Sequence, residues 1–162
     1  MATELKASMC FHGTPAQVLM MLCNNSYLEA KCADTVASSY EVTQDHEATQ
    51  ICVTRALEAD LPDMAKALLS EQLIFTEIQR WDPLGDQQEA KGTLHISIKG
   101  APAHISGTLA LHPCPIGTCI DISGDISVAI PIFGTKAEKL IAQEVQSICQ
   151  HEEKIGNEWL SR

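Results

Sequence analysis

The segment Leu5-Lys6-Ala7-Ser8-Met9-Cys10-Phe11 alternates apolar and polar positions. This predicts a half-buried strand with Leu5, Ala7, Met9 and Phe11 on one face. Gly13 ends it, and Thr14-Pro15-Ala16-Gln17 carries the marks of a helix start: a capping Thr, a Pro at the first helical position and a Gln to close the capping box. Val18, Met21 and Leu22 give this short helix its stripe. Asn24-Asn25-Ser26 reads as a break, and Tyr27 to Ala33 as a second short helix. Alternation then resumes. Ser39 to Thr43 and Thr49 to Leu57 are predicted strands, the latter with Ile51, Val53, Arg55 and Leu57 aligned. Leu61 to Glu71 has helical spacing and reads as a short helix or an ordered loop over the sheet. Leu73 to Trp81 is another strand, with apolar residues on both parities.

The last three strands are the clearest. Leu94, Ile96 and Ile98 share a face, followed after a Gly-Ala-Pro turn by Ile105, Gly107, Leu109 and Leu111. The final strand sets Ile120, Ile122, Gly124, Ile126, Val128 and Ile130 against Cys119, Asp121, Ser123, Asp125 and Ser127. A sheet with one wet face is antiparallel. Gly107 and Gly124, mid-strand on the apolar face, predict strong curvature. From Gly134 to about Leu160 the spacing becomes helical, with Ile141, Val145, Ile148, Ile155 and Trp159 on one stripe. The fold class is α+β: a curved antiparallel sheet of six or seven strands wrapped around one long C-terminal helix, with two short helices after strand 1. One domain accounts for all 162 residues.

Aromatic residues make up only 4% of the chain. One helix and few large side chains leave a wide concavity hard to fill, so an aliphatic cavity is expected. Ile96, Ile105, Leu109, Ile122, Ile126, Ile141, Val145 and Ile148 are expected to line it. Glu152 falls in the gap of the helix stripe between Ile148 and Ile155, and Arg55 points inward from its strand. Each has a bland reading, a carboxylate reaching water or a snorkelling arginine. The functional alternative is a pair of polar anchors, bonded to each other or to a ligand carboxylate.

The formal net charge of −10 disfavours nucleic acid and anionic membrane surfaces as partners. No secretory signal pattern and no apolar run of membrane-spanning length are read at either end or within, so a cytoplasmic location is expected. The seven cysteines are scattered, without a C-x-x-C pair. They argue against a zinc knuckle or a disulfide framework, and most are expected to act as small buried hydrophobes. His95 and His104 lie diagonal on the outer face, too few ligands for a metal site. His151 flanks the helix stripe near the expected pocket mouth. No nucleophile elbow and no phosphate-cradling loop occurs, so neither a catalytic residue nor a cofactor is expected.

Several short stretches carry a resemblance along the whole chain: Phe11-His12-Gly13-Thr14-Pro15, Tyr27, Lys31, Glu77 to Trp81, Gly107-Thr108-Leu109, Val128-Ala129-Ile130-Pro131, Lys136-Ala137-Glu138 and Gly156-Asn157-Glu158-Trp159-Leu160. In this order they resemble the START-like superfamily, the helix-grip fold of plant allergen-type ligand carriers, lipid-transfer domains and polyketide cyclases. Within it the chain is most similar to a bacterial family of unknown function. The resemblance implies binding of a small apolar ligand, lipid, isoprenoid or polyketide in type. Two rivals share the fold: a cyclase- or hydrolase-like enzyme, and a protein-interaction module with a filled core.

Overall fold

The computed structural model describes residues 2–58 and 72–162. Strand β1 (Thr3–Phe11) is followed by helices α1 (Pro15–Leu22) and α2 (Asn25–Lys31). Six strands come next: β2 (Ala37–Gln44), β3 (Thr49–Glu58), β4 (Gln72–Trp81), β5 (Ala90–Ile98), β6 (Ala103–Cys114) and β7 (Gly117–Val128). Helix α3 (Gly134–Leu160) closes the chain. The expected Leu61–Glu71 element lies outside the described residues.

The expected capping box at α1 is present: the Thr14 hydroxyl accepts from the Gln17 N–H, and the Gln17 side chain accepts from the Thr14 N–H. Helix α2 starts earlier than its apolar positions indicate. Asn24, read as a breaker, is its N-cap, and its side-chain oxygen accepts from the Ser26 N–H at 2.8 Å.

All seven strands form one antiparallel sheet in the order β1-β7-β6-β5-β4-β3-β2. Strands β2 to β7 are a meander, and β1 returns to pair with β7. The register aligns the predicted apolar rows. Leu5, Ala7 and Met9 oppose Gly124, Ile122 and Ile120, while Ile105 and Leu109 oppose Ile126 and Ile122. Gly107 and Gly124 are direct partners. A Cβ on Gly107 would sit 2.5 Å from the Ser123 carbonyl oxygen, so the two strands approach on their inner face as no side chain there would allow.

Helix α3 runs 27 residues, roughly 40 Å at 1.5 Å per residue. Its main packing partners in the sheet are β1 and β7. β1 is an edge strand, and α3 side chains take up its outward backbone groups. Gln146 donates to the Lys6 carbonyl, Glu153 accepts from the Cys10 N–H at 2.9 Å, and Asn157 accepts from the His12 N–H at 2.8 Å. The edge is thereby closed to further strand pairing. Gly156 is what lets the helix sit so close, because a Cβ there would meet the Phe11 ring, with Cδ1 2.8 Å away.

One expectation about the cysteines needs correction. Cys32 and Cys149 are indeed buried and free. Cys10 and Cys119, however, are register partners joined by a disulfide, and Cys114 lies beside them. Sequence spacing cannot show this, because the pairing of the first strand with the last brings together residues 109 apart.

Candidate functional site

Because α3 packs toward β1 and β7, the inner faces of β3 to β6 are left facing it across a gap. A cavity of about 420 Å³ occupies that gap. Its wall is largely aliphatic, with Ile96, Ile105, Leu109 and Ile122 from the sheet and Ile141, Val145 and Ile148 from the helix, and the rings of Phe75 and Trp81 and the exposed Gln143 and Glu144 join the lining. The three helix residues are only half-buried although they face the sheet, because the space opposite them is the cavity. Arg55 and Glu152 also line it. Ile126 does not. It is fully buried between its register partners Thr3 and Ile105 and takes no part in the cavity lining.

The polar end of the cavity is a cluster of four charged side chains from four elements. Lys31, at the last position of α2, donates to Glu77 Oε1 of β4 at 2.8 Å. Arg55 of β3 donates through Nη2 to Glu152 Oε1 of α3 at 2.9 Å, and Lys31 Nζ stands 3.6 Å from the same oxygen. Two cations and two anions cancel. The side chains of Lys31, Arg55 and Glu152 are all under a tenth exposed.

Burial alone would favour the neutral form of each group. For Lys31 it works to lower the pKa, but Glu152 and then Glu77 outweigh it and hold the ammonium well above its ordinary range. For Arg55, burial is likewise overcome by Glu152 and Glu77. For Glu77, burial works upward, and Lys31, Arg55 and a Gln79 hydrogen bond bring the carboxyl below its ordinary value. The buried Tyr27 hydroxyl is pushed up, first by burial and then by Glu152. Nearby Cys149 is pushed up to about 12 by burial and Glu152. These shifts keep Lys31, Arg55 and Glu77 charged and the Tyr27 hydroxyl and Cys149 thiol neutral.

The sequence points to Arg55 and Glu152 but misses Lys31 and Glu77. Glu77 shares its inward row with Leu73, Phe75, Gln79 and Trp81, and Gln79 accepts from the Trp81 indole N–H at 2.9 Å. Taking buried Trp81 as the marker of the inward parity would expose Glu77. Lys31 gives no such signal, since a lysine in a last helical turn ordinarily faces water. His151 is not a cavity residue, and its Nε2 lies 3.2 Å from Asp34. His95 and His104 stack on the outer face with ring centroids 6.3 Å apart.

A seven-stranded antiparallel sheet gripping one long helix, with two short helices after its first strand, is the START-like helix-grip fold. The chain belongs to the family described as protein of unknown function DUF2505, whose pattern matches residues 6–160. Among solved structures it is similar to TTHA0849 of Thermus thermophilus, with a TM-score of 0.62 and 15% identity over 95% of this chain and 97% of that one. Ara h 8.0201 matches with a TM-score of 0.52 and 13% identity over the full length of both chains. The lipid transfer and protein localization domain of human StarD13 matches with a TM-score of 0.50 and 15% identity over 91% of this chain and 73% of that one. The uncharacterised protein Rv0481c of Mycobacterium tuberculosis is 27% identical over 104 residues. That match covers 63% of this chain and 59% of the relative's length. No helix among the described residues is long and apolar enough to cross a membrane.

Proposed function

We propose that the protein binds a small, uncharged, predominantly aliphatic molecule that carries one hydrogen-bonding end. The observation behind this reading is a cavity of about 420 Å³ whose wall is largely aliphatic and whose buried charged cluster is neutralised within itself, the further lining carboxylate, Glu144, being exposed to water. Pockets for small molecules commonly measure about 300–1,000 Å³ and combine apolar walls with a few fixed polar groups. Arg55 is committed to Glu152, so it is poorly placed to clamp a ligand carboxylate. A hydroxyl or carbonyl can share hydrogen bonds with the cluster without adding charge, whereas a carboxylate would leave the site with a net negative charge. The lipid-transfer description of the StarD13 domain is in keeping with such a ligand.

An enzyme on the same scaffold is less favoured. General acid–base catalysis works best with groups titrating near the operating pH. Here Glu77 is held low while Lys31 and Arg55 are held high, which is the opposite adjustment. An interaction module is also less favoured. Among the described residues, the exposed large hydrophobics Met20, Val36, Ile116 and Ile132 sit on four different segments.

The test is native mass spectrometry of freshly purified protein, followed by displacement of Nile red with a long-chain alcohol and the matching fatty acid. Expected are saturable Nile red binding and displacement by the alcohol at concentrations about tenfold lower than by the acid, the size of one unfavourable buried charge reduced by partial solvation. Absence of saturable binding would overturn the proposal. Preferential displacement by the acid would overturn the uncharged-ligand part.

A further inference from the structure

On the sheet face opposite the cavity, Cys10 of β1, Cys119 of β7 and Cys114 at the end of β6 hold their sulfurs within 4.8 Å of one another. Cys10 and Cys119 are cross-strand partners with Cα atoms 4.1 Å apart, joined as a disulfide. Cys114 is a free thiol, and its Sγ stands 2.8 Å from Cys119 Sγ. Cys119 is the buried, central sulfur, and the outer two are half-buried and open to small solutes. Both outer cysteines reach the same sulfur, so only one can be bonded to it at a time.

We propose that Cys10, Cys114 and Cys119 form a thiol–disulfide exchange site in which Cys114 attacks Cys119. The Cys114 thiolate forms a bond to Cys119 Sγ, the Cys10–Cys119 bond breaks, and Cys10 leaves with the electron pair as a thiolate that takes up the proton Cys114 lost. The step consumes no oxidant. The external reactant is a low-molecular-weight disulfide. In the reduced protein it transfers one of its thiol groups to Cys10 or Cys114 and releases the other as a free thiol. Cys119 then displaces the attached group, leaving one protein disulfide and a second molecule of small thiol.

The two isomers differ mechanically. The Cys10–Cys119 bond fastens edge strand β1 to β7, whereas a Cys114–Cys119 bond lies wholly within the β6–β7 hairpin and frees β1 from its crosslink. Cys10 is also where α3 grips the edge: its N–H donates to Glu153 at 2.9 Å and its carbonyl accepts from Asn157 at 3.3 Å. Exchange at Cys119 therefore acts on the strand that carries the helix roofing the cavity.

Full-length wild type, Cys114→Ser and Cys10→Ser proteins are oxidised with glutathione disulfide, alkylated under native conditions and mapped by peptide mass spectrometry. In wild type, both Cys10–Cys119 and Cys114–Cys119 linkages are expected, with alkylation recovered at Cys10 as well as Cys114. In Cys114→Ser, alkylation of Cys10 is expected to fall about tenfold or more, because the exchange partner is gone. Cys10→Ser is expected to close the Cys114–Cys119 bond. Circular dichroism melts check that each serine variant is folded. Wild-type Cys10 as unreactive as in Cys114→Ser would overturn the proposal in favour of a static crosslink. Stoichiometric uptake of Cu(I) or Zn(II) by the reduced protein that blocks oxidation would replace it with a thiolate metal site.

Discussion

Glu152 shares one carboxylate oxygen between Arg55 at 2.9 Å and Lys31 at 3.6 Å. Deleting one member of a buried ion cluster costs more than deleting a balanced pair, because the survivor keeps its desolvation cost and loses its partner. Arg55→Met is therefore expected to lower stability by about 3–5 kcal/mol in urea unfolding. Arg55→Met combined with Glu152→Met should recover much of that loss, since Lys31 and Glu77 still balance. A double variant as unstable as the sum of the singles would show that the four charges do not act as a unit. A pH dependence belongs to the same scale. Glu77 is held below its ordinary value, with burial opposed by Lys31 and Arg55. Glu138 is held low as well: burial works upward, but the Thr3 hydroxyl and the Val128 N–H, at 2.7 and 2.9 Å, prevail. For a carboxyl whose folded pKa is depressed, the stabilisation is present above the unfolded value, near 4.5 for these groups. It is lost as pH falls through the lower folded value. Urea midpoints should thus be flat in the carboxylate contribution above about pH 5.5 and decline below about pH 4.5. Glu77→Gln or Glu138→Gln should each flatten the decline. Arg55 and Glu152 were legible because each interrupts a regular apolar row. Lys31 and Glu77 were not, since the first sits where helices ordinarily present a cation to water, and the second lies on a strand whose two parities are equally apolar.

Helix α3 shows how a polar row conceals an interaction. Gln146, Glu153 and Asn157, spaced seven and four apart, form a polar row outside the apolar stripe. They are bonded to the backbone of β1. Hydrophobic periodicity reports which side of a helix avoids water, and it carries no information about which polar side meets a strand edge. The strands themselves were legible in type and, β4 apart, in facing because alternation has a period of two and the core lies on one side only. Their ends were less so, with β6 running through Pro113 to Cys114 although proline has no N–H to give a ladder. The cysteine cluster was hidden for a related reason, since it depends on β1 lying next to β7. Asn157→Ala removes the acceptor for the His12 N–H and the donor to the Cys10 carbonyl. It is expected to cost about 1–3 kcal/mol. Hydrogen exchange at the His12 amide should accelerate by at least about tenfold while the central strands β5 and β6 keep their relative protection. Unchanged exchange at His12 would mean that the helix does not hold this edge in solution.

The whole molecule joins a helix docked against one side of its sheet to a concavity that extends well past that helix. The space is partly open, with the exposed Gln143 and Glu144 in its lining, so solvent or a ligand can occupy it and the fold need not carry it dry. The two interpretations of the cavity wall respond oppositely to added volume. In a filled core, Val145→Phe would overpack and cost about 1–3 kcal/mol. Facing the cavity from a half-buried position on α3, the new ring gains contacts with the aliphatic wall instead. Val145→Phe is thus expected to leave the thermal midpoint unchanged or raise it by a few degrees, roughly 2–4 °C for about 1 kcal/mol at this chain length. Nile red affinity should fall about fivefold or more, as about 1 kcal/mol of lost contact requires. A midpoint several degrees lower would show that α3 closes on the sheet in solution and that the interior is already full. An unchanged midpoint with undiminished Nile red affinity would place the dye elsewhere on the protein and remove the main support for ligand binding between the helix and the sheet.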